Sequence, residues 1–210
     1  MPDATLTDTP VIRFGYHGST DIPLDIVRLG AGDAQSVRLS EYDVADPFRG
    51  VRSGELDLMI VKFGISEPDL VSSQVLAFDP RAVVVAVDHP LATRTSVSVE
   101  ELADHDTFAR PGTFPDYVWD VVVPPRTPQG RPLRRNRHLT STQEMMRLVA
   151  SGDAVHLTVA SLADVAPPAV RLVPVHDLPP APVTVAWLGT AEPPAHVARF
   201  VATAEEAATR

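Results

Sequence analysis

The chain has 210 residues, 44% of them apolar, and a formal net charge of −9. It is long enough for one large domain or two small lobes, and its acidity argues against nucleic acid as the main partner, because phosphate binding is driven by Lys and Arg. With no cysteine, disulfides and thiolate metal sites are excluded. Residues 1–9 read as a polar, disordered lead without the apolar core of a signal peptide. No apolar run is long enough to span a bilayer, so a soluble cytoplasmic protein without membrane partners is expected. Val11 to Tyr16 reads as a strand, followed by a turn at His17-Gly18-Ser19-Thr20. Asp21 to Leu29 reads as a weak helix, because Pro23 allows only its first turn, and Gly30 and Gly32 break it. Val37 to Tyr42 alternates like a half-buried strand. Asp46-Pro47 opens a short helix that carries Phe48 and Val51 and ends at Gly54. Leu56 to Phe63 is an apolar run of the kind buried in a parallel sheet.

Gln74 to Phe78 and Arg81 to Val87 are the next expected strands, and Asp88 to Ala92 is a turn. Ser98 and Glu101 have capping-box spacing before a short helix, Val99 to Ala103. Thr107 to Arg110 reads as a brief strand, and Phe114 to Trp119 as the first turn of a helix. The basic cluster Arg131, Arg134, Arg135, Arg137 and His138 reads as a solvated edge strand whose charges discourage aggregation, with a nucleic-acid patch as the alternative. Ser141 and Glu144 again have capping-box spacing, and Met145, Leu148 and Val149 share one helical face. Gly152 suits the left-handed residue that ends the helix. Strands at Ala154 to Thr158, Val170 to Val175 and Val183 to Leu188 follow, with a short helix at Ala160 to Val165. A helix over Pro194 to Ala208 closes the chain.

Strands alternating with helices in two blocks predict an α/β protein with mainly parallel sheets. The expected division is residues 10–78 and 182–210 in one lobe and 79–181 in the other, with a cleft between. Ligands of open α/β sheets bind beyond the carboxyl ends of strands. Three segments meet that rule: Tyr16 to Thr20, Lys62 to Ile65, and Thr140 to Thr142 ahead of the Ser141–Gly152 helix. The chain's only lysine, Lys62, ends an apolar strand. The six histidines beyond His17 lack paired metal spacing, and neither a nucleophile elbow nor a phosphate-binding glycine loop occurs. Neither metal nor cofactor is expected.

The runs Arg52-Ser53-Gly54-Glu55-Leu56-Asp57-Leu58-Met59-Ile60, Val87-Asp88-His89-Pro90-Leu91-Ala92, Val99-Glu100-Glu101-Leu102-Ala103 and Ser141 to Gly152, in this order and spacing, resemble the effector-binding domain of LysR-type transcriptional regulators. The resemblance covers nearly all of the chain after Pro10. It implies a two-lobed, type 2 periplasmic-binding-protein-like fold that holds a small organic molecule between its lobes, and it implies a homodimer. Family members carry a winged helix-turn-helix ahead of this domain, whereas this sequence reaches the first strand almost at once. A stand-alone sensing or regulatory domain without direct nucleic-acid binding is therefore expected.

By position in the resemblance, the ligand contacts are Ser19, Thr20, Ser141 and Thr142, offering hydroxyls and amides to a carboxylate. Lys62 would add positive charge. Tyr16, His17, Phe63, Arg110 and Thr140 complete the expected binding set. The alternative expectation is a cofactor-independent enzyme, a cyclase, isomerase or dehydratase, using His17, Lys62, Tyr16 and Asp116 as acids and bases.

Overall fold

The computed structural model describes residues 10–31 and 37–210. The expected disordered lead, residues 1–9, and Gly32 lie outside the described residues. A six-stranded sheet is built from β1 (Ile12–Tyr16), β2 (Val37–Glu41), β3 (Leu58–Lys62), β4 (Leu70–Ser72), β5 (Ala77–Asp79) and β11 (Ala181–Leu188). The order is β2-β1-β3-β11-β4, with β5 also paired to β11. A three-stranded sheet has β6 (Arg81–Ala86) between β10 (Val170–Pro174) and β9 (His156–Val159), and a separate pair joins β7 (Asp106–Phe108) to β8 (Arg134–Arg137).

Both faces of the large sheet are covered, which is why β3 is buried from Leu58 to Val61. On one face, α1 (Asp21–Ala31) and α5 (Ala195–Ala208) enclose Ile12, Phe14, Ile26, Leu58, Val183, Val197 and Phe200. On the other, the single-turn α2 (Arg49–Arg52) packs Phe48 and Val51 against Met59, Val61 and Ala186. The second sheet has its own core, where Val83, Val84 and Val85 of β6 meet Trp119 of α3 (Asp116–Val122) and Met145, Met146 and Val149 of α4 (Thr142–Ala150). The chain passes from one sheet to the other at Pro80, between β5 and β6, and returns between β10 and β11.

Several elements differ from the sequence expectation. The first helix runs through Ala31 and includes Gly30, which is buried. Pro23 is accommodated in the first turn, where its missing N–H has no intrahelical partner to lose. Gln74 to Leu76 are not strand; β5 begins at Ala77, and β4 at Leu70–Ser72 is an addition. Asp46-Pro47 forms a turn, and α2 begins two residues later, with Phe48 at its N-cap and no side-chain cap. The sheets are not mainly parallel. Among the described strands only β1–β2, β1–β3 and β7–β8 are parallel, while β6 runs antiparallel to both neighbours and β11 antiparallel to β3, β4 and β5. Strand direction is set by which way the chain returns between lobes, and an apolar run carries no record of that.

The Ser98–Glu101 capping box forms in full. At α4 only half forms: Ser141 Oγ accepts from the Glu144 N–H, but the Glu144 carboxylate turns to Arg147 at 2.6 Å. The basic cluster is largely neutralised, through Arg131–Asp104, Arg135–Asp120 and Arg137–Asp106.

Candidate functional site

A cavity of about 140 Å3 lies where the two sheets meet. Its walls come from β3 and the turn after β1 on one side, and from α3, α4 and β9 on the other. Apolar groups dominate, among them Met59, Ile60, Phe114, Val118, Met145 and Leu162. Polar groups are few: His17, Ser19, Tyr42, Lys62, Thr142, His156, Thr158, Ser161 and the indole of Trp119. An apolar chamber with a handful of placed polar atoms is the usual form of a small-molecule site.

Five of the ten expected binding residues line this cavity: His17, Ser19, Lys62, Phe63 and Thr142. Tyr16, Thr20 and Ser141 face instead an open outer groove, which shares His17, Tyr42, Val44 and Thr142 with the cavity as a common wall. Thr140 sits in a shallow surface hollow beside His138. Arg110 is exposed and ties down its own loop, donating to the Gly112 and Phe114 carbonyls and pairing with Asp116, whose side chain is 84% exposed. Arg110 and Asp116 thus hold each other away from the cavity, and neither lines it.

The charge at the site also differs from expectation. Lys62 is not a solitary ammonium: its Nζ lies 2.8 Å from Asp79 Oδ2 and donates to Ser161 Oγ at 2.7 Å. Asp79, buried at the end of β5, also accepts from the Ser161 hydroxyl (2.6 Å) and the Ser161 N–H (3.1 Å). This buried cluster joins β3, β5 and the 3-10 turn after β9, beside the Pro80 crossing. Ser19 is committed too. Its hydroxyl donates to Asp164 at 2.8 Å and accepts from the Asp21 N–H at the start of α1.

His17 Nε2 lies 3.3 Å from Thr142 Oγ1, joining the β1 turn to the start of α4. Among the described residues the enclosed His17 Nδ1 has no hydrogen-bond partner, and desolvation draws the ring's pKa below the ordinary histidine range. The Tyr42 hydroxyl donates to the Ile60 carbonyl at 3.2 Å, and its burial raises its pKa. At the cavity's edge Phe63 adopts φ +72° and lies under the Arg81 guanidinium, 4.8 Å from its ring centroid. A left-handed non-glycine residue is costly, and such strain concentrates at functional sites.

His156 is buried on β9 between Phe108 and Trp119, and burial pulls its pKa down to about 3. Its folded pKa lies below the unfolded value of 6.5, so on acidification the unfolded chain takes the proton first. His156 therefore supports the fold above about pH 6.5, and that support is lost as the pH falls toward about 3. We expect the unfolding free energy to drop by up to about 1.4 kcal/mol per pH unit below about pH 6. His156→Phe should flatten that slope in urea titrations at pH near 7 and near 5. Identical slopes for the two proteins would contradict the buried, neutral ring.

Asp79, Ser161, Trp119, Tyr42 and His156 are site residues that sequence reasoning missed. Only His156 left a signal, as a polar residue where an apolar strand was expected. Asp79 and Ser161 are 82 positions apart and meet only through the crossing of the sheets.

The LysR substrate binding domain family matches residues 33–209. Among solved structures, full-length CbnR in complex with its target DNA aligns with a TM-score of 0.75 at 18% identity, over 97% of this chain and 72% of that one. The effector-binding domain of QuiR in complex with shikimate aligns at 0.69 with 16% identity, over 94% and 96%. That of BenM with its effector benzoate aligns at 0.66 with 20% identity, over 93% and 90%. No curated protein matches the sequence.

Proposed function

The chain belongs to the LysR substrate-binding domain family, and from that premise we propose that it binds a small organic molecule in the cavity between its two sheets, in a sensing or regulatory role in the cytoplasm. The observation that carries this reading is the cavity itself: apolar walls contributed from both sheets, with His17 and Thr142 in contact in the wall it shares with the outer groove. We place the lobes at residues 10–78 with 182–210, and at 79–181. A ligand touching both halves would favour their closure, which is the conformational signal such a domain can transmit. The solved relatives bound to shikimate and benzoate support a compact ring as the guest.

Of the residues in the enzymatic alternative, Tyr16 and Asp116 are not among those lining the cavity, and Lys62 is held by Asp79 and Ser161. Binding is accordingly the reading we adopt. Among the described residues no helix is long and apolar enough to cross a membrane. Homodimerisation, implied by the family, is expected to show in light scattering as twice the mass of one chain.

The ligand test uses Trp119, which lines the cavity, with Trp187 replaced by Phe so that one indole reports. A screen of single-ring metabolites should yield compounds that change its fluorescence and raise the melting temperature. A ligand at about 100 times its Kd adds about 2.7 kcal/mol. Thr142→Val should weaken such a ligand about fivefold to tenfold by removing one hydroxyl, without unfolding the protein. A screen in which no compound moves either signal would overturn the assignment.

A further inference from the structure

The charges around the cavity speak to the kind of molecule it accepts. Among the described residues Lys62 is the only formally charged side chain that lines the cavity, and its counter-charge, Asp79, is already in place 2.8 Å from it. An ammonium has three N–H donors. One is directed to Asp79 and one to Ser161 Oγ, and Ser161 in turn gives its own proton to Asp79. A single Lys62 N–H is left to offer, from a pair whose own net charge is zero, while the buried Arg81 cation beside the Phe63 ring directs its N–H groups to the Thr158, Val121 and Val122 carbonyls. A carboxylate placed on that donor would bring a second anion close to the buried Asp79 carboxylate, and like charges in a poorly solvated site repel strongly. The two imidazoles at the cavity, His17 and His156, are kept neutral at physiological pH by their burial. The outer groove adds Glu41 and Asp43, while its Glu144 and Arg147 pair with each other. An anion arriving by that side meets unfavourable potential before it reaches the cavity.

A neutral acceptor fits where an anion does not. A carbonyl oxygen can take the remaining Lys62 N–H without disturbing Asp79. Among the described residues the Trp119 indole N–H also has no partner. The space suits one ring, since an apolar cavity of about 150 Å3 holds a benzene molecule. We propose that this site selects an uncharged, single-ring molecule bearing a carbonyl or similar acceptor, and that Asp79 is the residue that discriminates against carboxylates. This rests on the small-molecule reading above and specifies the charge of the guest.

The test compares two near-isosteric pairs, benzamide with benzoate and phenylacetamide with phenylacetate, by calorimetry and Trp119 fluorescence at neutral pH. In the wild-type protein each amide is expected to bind about tenfold more tightly than its acid. Asp79→Asn removes the fixed anion and keeps an acceptor for the Ser161 N–H. It should raise benzoate affinity about tenfold and narrow or reverse the preference. Asp25→Asn, which removes an exposed carboxylate of α1 paired with Arg28, makes the same change in net charge away from the cavity and should retain the amide preference. If Asp79→Asn does not fold, the wild-type ratio, set beside that of Asp25→Asn, decides the matter. Acids that bind wild type as tightly as their amides would overturn the selectivity and leave the binding function standing. Failure of all four probes to bind either protein would overturn the selectivity together with the cavity as a single-ring site.

Discussion

Replacing Arg81 with Ala is expected to destabilise the protein by about 3–5 kcal/mol, a loss read as a lower denaturation midpoint in urea with an unchanged slope. Arg81 is 3% exposed and sits at the start of β6, just past the Pro80 crossing. Its guanidinium donates to the Thr158 carbonyl of β9 at 3.1 Å and to the Val121 and Val122 carbonyls at the end of α3. Those last carbonyls of a helix have no intrahelical partner, so a planar cation with several N–H donors satisfies them together. Burial lowers the Arg81 pKa to about 10, which leaves it charged at neutral pH. Alanine would leave these acceptors without their donor and strip the cation from the Phe63 ring that borders the cavity. Arg81→Lys should recover only part of the loss, because an ammonium cannot match the same fork of acceptors. A midpoint within experimental error of wild type for Arg81→Ala would show that these bonds contribute little. Ligand affinity is expected to fall as well, since Arg81 braces both α3 and β9, two of the cavity's walls.

Phe200→Ala should cost a similar amount, about 3–5 kcal/mol, and lower the melting temperature by roughly 10 °C. Phe200 is fully buried on α5, edge-on to Phe14 of β1 with ring centroids 6.2 Å apart. Its ring also fills the space left by Gly30 on α1, where an added Cβ would lie 2.7 Å from it. The ring therefore fastens two helices and the central strand at one point, and its removal leaves a cavity that rigid neighbours fill only in part. Gly30→Ala should destabilise the wild type through the clash but be tolerated in Phe200→Ala. Strictly additive effects in the double variant, read by the same denaturation experiment, would show that the two positions do not touch.

Gly30 illustrates how local rules are overridden. Read along the chain, it breaks a helix, because glycine is about 1 kcal/mol poorer than alanine in a helix interior. In the folded protein it lets α1 and α5 approach closely, and the packed ring outweighs the propensity. Pro23 misleads in the same way: its penalty applies to helix interiors, and it falls in the first turn. β4 was invisible because Leu70–Ser72 is short and mostly exposed, and only its pairing with β11 makes it a strand.

The residue order by itself determined the elements with strong local signatures. The apolar strands β3 and β6, the full Ser98–Glu101 cap and the amphipathic helix after Ser141 are dictated by burial periodicity and by side chains bonding backbone groups within a few residues. The turns and caps also carry the family resemblance, and through it the two-lobed architecture. What the order could not determine was which polar groups remain free. Ser19 is taken by Asp164, Lys62 by Asp79 and Ser161, and Arg110 by its own loop with Asp116. Two of these arrangements join residues 17 to 145 positions apart, and a buried charge accepts whichever partner the fold brings within reach. Tertiary structure alone decided that the cavity presents a neutral pair where the sequence suggested a lone cation.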